Sequence, residues 1–560
     1  MTARLKVRTF TGIGVSPGGV SAPVVVVLPP EPLPDETCSL DHHEAAARVA
    51  QALAEVGDEL EARAATLGED ARQMLTAAAL MARDEGLLDA AHEQLRAGLG
   101  PAHAIQAAVA SYSAELKELG GYFAERVSDL NDVGQRAIAR VLGRPAPGLP
   151  KLNQPCIVVA EDLAPADTAT LDPSLVVGLV TSGGGITSHT AILAAQRGIP
   201  AVVQAAGVLE LSSGTIVALD GDTGRVVAEP DEAVIAGLER RRRARERIDA
   251  SGPGHTADGY PVALLANIGG PEEARAAARL DVEGVGLFRT EFVFLTATSA
   301  PTLEQQTRLY REVLEPFGQR PVTVRALDAG ADKPLPFANL GEEPNPALGR
   351  RGLRLMKERT ELLEVQLAAL AAAQRSCEAQ VKVMAPMVAT LAEAEWFTAA
   401  AHAVGLETAG IMIEVPAAAL SAEHLLQVSD FASVGTNDLA QYTMAADRML
   451  GQLSELLDPF QPAILRLVGL ACAAGHSTGK PVGICGESAA DPLMALVLAG
   501  LGATSLSMPA SRVPLVRHAL SLHTLACCQE MAQAAAGARN ALDARSAVAA
   551  LADERLTSLL

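Results

Sequence analysis

"VALLANI", Val262–Ile268, is a short apolar run with one polar residue. Seven runs of the same kind follow it: GVGLFRT (284–290), VTVRALD (322–328), VKVMAPM (381–387), GIMIEV (410–415), FASVGTN (431–437), PVGICGE (481–487) and SLSMPA (505–510). Helical stretches separate them. Eight strand–helix units in about 260 residues match the length of a (β/α)8 barrel. The runs are apolar along their length rather than alternating, as parallel strands covered on both faces should be. A doubly wound open sheet fits less well, because no glycine-rich fingerprint follows the first strand.

In such barrels the chemistry gathers at the C-terminal ends of the strands. Those ends carry Arg289 on the second run, Arg325 on the third, Glu414 on the fifth, Asn437 and Asp438 after the sixth, and Cys485 with Glu487 on the seventh. The third run continues into LDAGADK, with Asp328, Asp332 and Lys333; Arg351 stands in NPALGRRGLR and Arg448 follows the sixth run. Several cations with two hard oxygen ligands predict an anionic, phosphorylated substrate held with Mg2+. Glu414 and Asp438 are the expected metal ligands, since magnesium takes one or two carboxylates and leaves the rest to substrate oxygens and water. Each of these residues taken singly has a dull alternative: Arg325 could pair with Asp328, and Glu414 could be a cap. A free cysteine is usually a small buried hydrophobe. The glycines around Cys485 let a ligand approach, and a thiol there can donate a proton.

Upstream, GIGVSPGGVSAPVVVV (12–27) reads as a Gly/Pro turn and a strand. From about Asp41 to Leu142 the pattern turns helical and rich in Ala, Leu, Glu and Arg. A proline-rich connector, GRPAPGLPKLNQP (143–155), leads back to strand patterns, and TIVALDGDTGRVVAEP (215–230) reads as a hairpin turning at Asp220–Gly224. Residues 1–35 and 145–230 are therefore expected to form one α/β domain, with 36–144 as a helical bundle inserted into it. VIAGLERRRRARERIDASGPGH (234–255) reads as a solvated linker helix and a flexible break, placing a linker at 231–260 and the barrel at 261–525. The tail, 526–560, carries one or two amphipathic helices.

One histidine stands out in that first domain. GGGITSHTAIL (183–193) places His189 between hydroxyl residues, after three glycines and before an apolar helical pattern. No second histidine, cysteine or paired carboxylate stands at ligand spacing, which argues against a metal site. The stretch alone leaves general base and nucleophile both open.

The chain has 560 residues, with 45 Lys and Arg against 66 Asp and Glu, a net charge of −21. That length predicts two to four domains, and that charge argues against a nucleic-acid partner. Seven cysteines lie scattered without zinc spacing, and no signal peptide is evident. Both features lead us to expect a cytoplasmic protein without membrane insertion.

GGITSHTAI, GLFRTEF, DAGADKPLP, NPALGRRGLR, GIMIEVPAAA, GTNDLAQYTMAADR and GICGESAADP occur in this order along the chain. In these motifs the sequence resembles the enzyme I family of the bacterial phosphotransferase system, the phosphoenolpyruvate–protein phosphotransferases, over about Gly12 to Met508. The resemblance implies an α/β multidomain protein: a swivelling β/β/α phosphohistidine domain with an inserted helical bundle, then a (β/α)8 TIM barrel. It implies that phosphoenolpyruvate and Mg2+ bind at the barrel mouth. His189 would take the phosphoryl group and pass it to the phosphocarrier protein HPr, which docks on the inserted bundle. Cys485 would protonate enolpyruvate. Arg289, Arg325 and Arg448 would hold the substrate with Asn437, supported by Arg351 and Lys333, and Glu414 and Asp438 would hold the metal. A homodimer through the barrel is implied as well. Where the family usually has an arginine soon after the active histidine, this chain has Ala195, with Arg197 two residues later. A dikinase-type enzyme shares the histidine domain and barrel but also needs an ATP-binding domain, for which the chain has no room. A non-enzymatic regulatory phosphoprotein would not need the set at the strand ends.

Overall fold

In the computed structural model, residues 8–560 are described apart from 17, 29–30, 35–40, 66–68, 120–125, 146, 151, 164–166, 169–170, 185–188, 249–250, 296, 298, 331–334, 336, 339–340, 342 and 449. Two compact units emerge, Met1–Arg243 and Ala244–Leu560, the division falling inside the helix Glu232–Glu246.

In the first unit, β1 (Thr9–Thr11), β2 (Ile13–Ser16), β3 (Gly19–Val27), β4 (Cys156–Ala160), β5 (Val176–Thr181), β6 (Ala201–Val203), β7 (Ile216–Asp220) and β8 (Arg225–Ala228) form one sheet. Its order is β1-β8-β7-β3-β4-β5-β6-β2. The β-branched run Val24–Val27 suits a strand, and β3 is the seam of the sheet, antiparallel to β7 and parallel to β4. β7 and β8 make the antiparallel pair expected around Asp220–Gly224. The opening segment differs from its reading as one turn and one strand, for it holds β1 and β2 as well. These are only three and four residues long, and they exist by pairing with the distant β8 and β6, which no local pattern announces.

Between β3 and β4 the chain forms the helices His42–Ala64, Glu69–Ala82, Glu85–Arg96, Pro101–Leu119 and Val127–Leu142. Apolar residues three and four apart, such as Val49, Leu53, Val56 and Leu60, line one face of the first helix. They join Leu75, Ile105 and Val133 in a core separate from that of the sheet. The last helix ends on Gly143, whose φ of 67° closes the turn that returns the chain to the sheet.

The second unit is a closed barrel of parallel strands: β9 (Ala263–Ile268), β10 (Val285–Arg289), β11 (Pro321–Arg325), β12 (Gln380–Ala385), β13 (Ala409–Ile413), β14 (Ala432–Val434), β15 (Val482–Ile484) and β16 (Ser505–Met508). Each falls on one of the eight apolar runs. β16 pairs with β9, which closes the barrel and excludes the open sheet. β9 departs from the uniformly buried pattern: Leu264, Ala266 and Ile268 are buried in the core, while Ala263, Leu265 and Asn267 are only half-buried. A strand's period of two separates the helix-covered face from the lumen face. The stretch Leu453–Thr478 is long and apolar enough to cross a membrane by length and composition alone. Within it the helix Pro462–Thr478 buries Ile464, Leu465, Val468, Ala471 and Cys472 and packs on β14 and β15. The tail forms two helices, Leu525–Gly537 and Ala541–Leu551, and a short third, Glu554–Thr557, where one or two were expected.

Candidate active site

Five strands deliver the site residues at their C-terminal ends. Arg289 and Arg325 close β10 and β11 and are paired in register. Glu414 follows β13 directly, Asn437 and Asp438 open the helix Thr436–Met444 after β14, and Cys485 follows β15. The closed barrel thus brings together residues that lie far apart in sequence. Lys333 and Asp332, also expected here, lie outside the described residues.

Arg325 is buried and forms ion pairs with Glu291, with Asp328 at 3.3 Å and with Glu414 at 3.6 Å. These carboxylates outweigh the cost of its burial and hold its guanidinium charged. Arg351, also buried, is the bridge of the site. Its Nε and Nη2 donate to the two oxygens of Asp328 at 3.1 and 2.9 Å, and Nη1 and Nη2 donate to those of Asp438 at 2.9 and 3.2 Å. Such forked pairing fixes both carboxylates. Arg351 therefore sits as a strut between two acids. Arg448 reaches Asp438 with Nη1 at 3.3 Å.

Glu414 Oε2 accepts from the Met387 N–H at 2.9 Å. Met387 itself has φ of 57°, a left-handed conformation uncommon for such a side chain and found where surrounding structure over-determines it. Burial, with Asp438 and Asp328 close by, pushes the Glu414 carboxyl up to about 8. Two buried hard-oxygen donors repelling one another are a fitting pair for a hard divalent cation. Among the described residues no group of three or more His, Cys, Asp or Glu could hold a metal, so further ligands would have to be substrate oxygens and water. Gly435 makes room for this arrangement: a Cβ there would stand 2.8 Å from Glu414 Cγ.

Arg289 differs from its neighbours. It is exposed and forms no ion pair with another described residue. Its charge acts on Cys485, opposing the burial that pushes that thiol up to about 11. Cys485 lies among Leu287, Met384, Met412 and Phe431, with Sγ 3.6 Å from the Val434 carbonyl oxygen. Asn437 Oδ1 accepts from the Glu487 N–H at 3.1 Å. Glu291 was missed by the sequence reading, although it stands within the quoted GLFRTEF. Tyr442, with its hydroxyl 3.5 Å from Arg351 Nη1, was missed too. Neither has a signal beyond proximity to a motif.

In the first unit, His189 is the first residue of the helix His189–Arg197. Upstream, Gly183 N–H donates to the Glu161 carbonyl at 2.8 Å and Gln204 Nε2 donates to the Gly184 carbonyl at 3.0 Å, and residues 185–188 lie outside the described residues. Thr190, next to His189, is buried and donates to Asp162 Oδ1 at 2.8 Å. Arg197 donates to the Leu171 carbonyl.

Three family descriptions match consecutive parts of the chain: "PEP-utilising enzyme, N-terminal" over residues 11–126, "PEP-utilising enzyme, mobile domain" over 152–224, and "PEP-utilising enzyme, PEP-binding domain" over 243–524. A phosphoenolpyruvate-protein phosphotransferase of Streptomyces coelicolor is 48% identical over 97% of this chain and 99% of its own length. One from Haloferax volcanii is 37% identical, covering 94% of this chain and 96% of that protein. One from Bacillus subtilis is 35% identical, covering 90% and 93%.

Proposed function

The chain belongs to the phosphoenolpyruvate-protein phosphotransferase family, and from that premise we infer that it moves the phosphoryl group of phosphoenolpyruvate onto a histidine of its own and then onto a phosphocarrier protein. It is a transferase, the first step of a sugar phosphotransferase system. The carrier is HPr, and the inserted helical bundle is where it docks. The active protein is a homodimer through the barrel, and it works in the cytoplasm.

One observation carries the assignment of roles: the barrel mouth holds an arginine without an ion pair to another described residue, Arg289, on a strand end beside that of Arg325. Phosphoenolpyruvate carries a phosphate and a carboxylate on one small molecule, and arginines suit both. Arg289, Arg325 and Arg448 bind it, with Asn437 and Lys333, while Arg351 holds Asp438 in place. Glu414 and Asp438 would hold Mg2+, which neutralises charge on the transferring phosphoryl group. The neutral His189 imidazole attacks phosphorus; the N–P bond forms as the P–O bond to the enol oxygen breaks. Cys485 gives its proton to the enolate carbon, so that pyruvate leaves, and solvent returns a proton to the thiolate. The two acts occur on residues of separate units, so the histidine domain must swivel. The linker helix Glu232–Glu246 leads to Gly252 and Gly254, whose N–H groups donate to Asp281 and Glu283 at 2.6 and 2.9 Å. Those bonds fasten Gly252 and Gly254 to the barrel and support a hinge in the linker.

The test is His189→Ala with labelled phosphoenolpyruvate and Mg2+. The variant should take no acid-labile label and still bind phosphoenolpyruvate as the wild type does. Label retained by the variant would assign the nucleophile elsewhere, and wild type that accepts no label would end the reading. Transfer from labelled wild type to candidate carriers identifies the partner.

A further inference from the structure

The second unit has a cavity of about 550 Å3 that none of the site residues touches. Its walls come from the end of the linker helix, the segment before β9, the helix Val513–Leu522 and the C-terminal turn. These are the parts of the barrel where strands begin. His255 precedes β9, and Arg517 Nη2 donates at 2.6 Å to the carbonyl of Asp281, just before β10. The cavity therefore lies at the end of the barrel opposite to the strand ends that carry Arg289, Glu414 and Cys485.

Its lining is basic. Arg247, Arg517 and Arg555 face it with His255, His518 and Ser521, and no acidic side chain is among the described lining residues. In a chain with 66 acids and 45 bases, that segregation marks a local positive basin. Two nearby acids are partnered at its edge: Asp553 with Arg555 at 2.8 Å, and Asp281 with Arg517 at 4.0 Å and with the Gly252 N–H at 2.6 Å. Arg247 is exposed and forms no ion pair with another described residue. Burial and the charge of Arg555 hold the His518 imidazole below its ordinary range, so it meets a ligand as a neutral hydrogen-bonding ring.

We propose that this cavity is a second anion site, selective for a small phosphate-bearing molecule. Guanidinium forks match phosphate oxygens in pairs, and a volume in the range of small-molecule sites leaves space for more than a lone phosphate. The bound group bridges Arg247, at the end of the linker helix, to Arg517 and Arg555 on the barrel. It thereby ties down the segment through which the chain enters the barrel.

Inorganic pyrophosphate is the probe, titrated by calorimetry into full-length wild type, Arg247→Glu, Arg555→Ala and Arg289→Ala, with sulfate as the competing anion. Wild type should show two binding components. Arg247→Glu should weaken one of them at least ~30-fold, and Arg555→Ala should weaken the same one. Arg289→Ala should affect only the other, the one at the barrel mouth. Both Arg247 and Arg555 are exposed, and phosphoenolpyruvate-dependent labelling of Arg247→Glu and Arg555→Ala checks their fold. An isotherm unchanged by Arg247→Glu overturns the site, whatever happens at the mouth. Sulfate displacing pyrophosphate at equal concentration overturns the phosphate selectivity.

Discussion

Arg289 and Arg325 are paired on adjacent strands, yet their surroundings are opposite. Arg325 is enclosed by Glu291, Asp328 and Glu414, whereas Arg289 has no ion-pair partner among the described residues. The sequence offers the pairing of Arg325 with Asp328 but cannot rank the two cations, because the other compensating acids, Glu291 and Glu414, arrive from other strands. Cys485 was legible in the same partial way. Its glycines marked it out, but its protonation state depends on burial. A thiol shifted up to about 11 favours its neutral form, so it keeps its proton at neutral pH and loses it only on the alkaline side. Accordingly, the pH–rate profile of pyruvate formation should show no loss from thiol ionisation below about pH 10. Cys485→Ala should lower kcat about 100-fold with KM within about threefold of wild type. Equal losses in kcat and in substrate affinity, read by direct binding, would show a packing role instead.

At the scale of elements, the inserted bundle was visible as a change of period, and the five helices among its described residues follow from that change. What fastens it to the sheet was not visible. Arg136, on the helix Val127–Leu142 and 2% exposed, donates from Nε to Asp132 at 2.8 Å and from Nη2 to Asp167 at 3.2 Å. Arg63 reaches the same Asp167 at 3.4 Å. Burial pushes the Asp132 carboxyl above its ordinary range, and Arg136 opposes that shift. Removing one partner of a buried pair leaves an uncompensated charge. Arg136→Met should therefore destabilise the first unit by about 3–5 kcal/mol, read from urea unfolding followed by a probe within the bundle. A loss below about 1 kcal/mol would show the pair to be solvated.

At the scale of the whole molecule, the barrel and the first unit have separate cores. Units with separate cores unfold separately. Calorimetry of His189→Ala, which binds substrate without consuming it, should resolve the barrel's transition from those of the first unit, whose bundle and sheet have cores of their own. Phosphoenolpyruvate with Mg2+ at 100 times its Kd should stabilise the barrel by about 2.7 kcal/mol and leave the first unit unmoved. A single transition that shifts as one would contradict this independence. The net charge of −21 and the basic basin at the barrel base belong to this scale too. The arginines of that basin lie on the linker, on the helix after β16 and in the tail, and nothing in their sequence spacing joins them.

The sequence by itself determined the barrel, the bundle and the motif residues. Period, run length and strand-end chemistry are local properties, and a parallel strand buried on both faces declares itself in its own composition. Only the tertiary structure decided closure through β9 and β16, the existence of β1 and β2, the strut made by Arg351, and which arginine remains without an ion pair among the described residues. Each of these depends on groups distant along the chain, and charge compensation and strand pairing are set by distance in space.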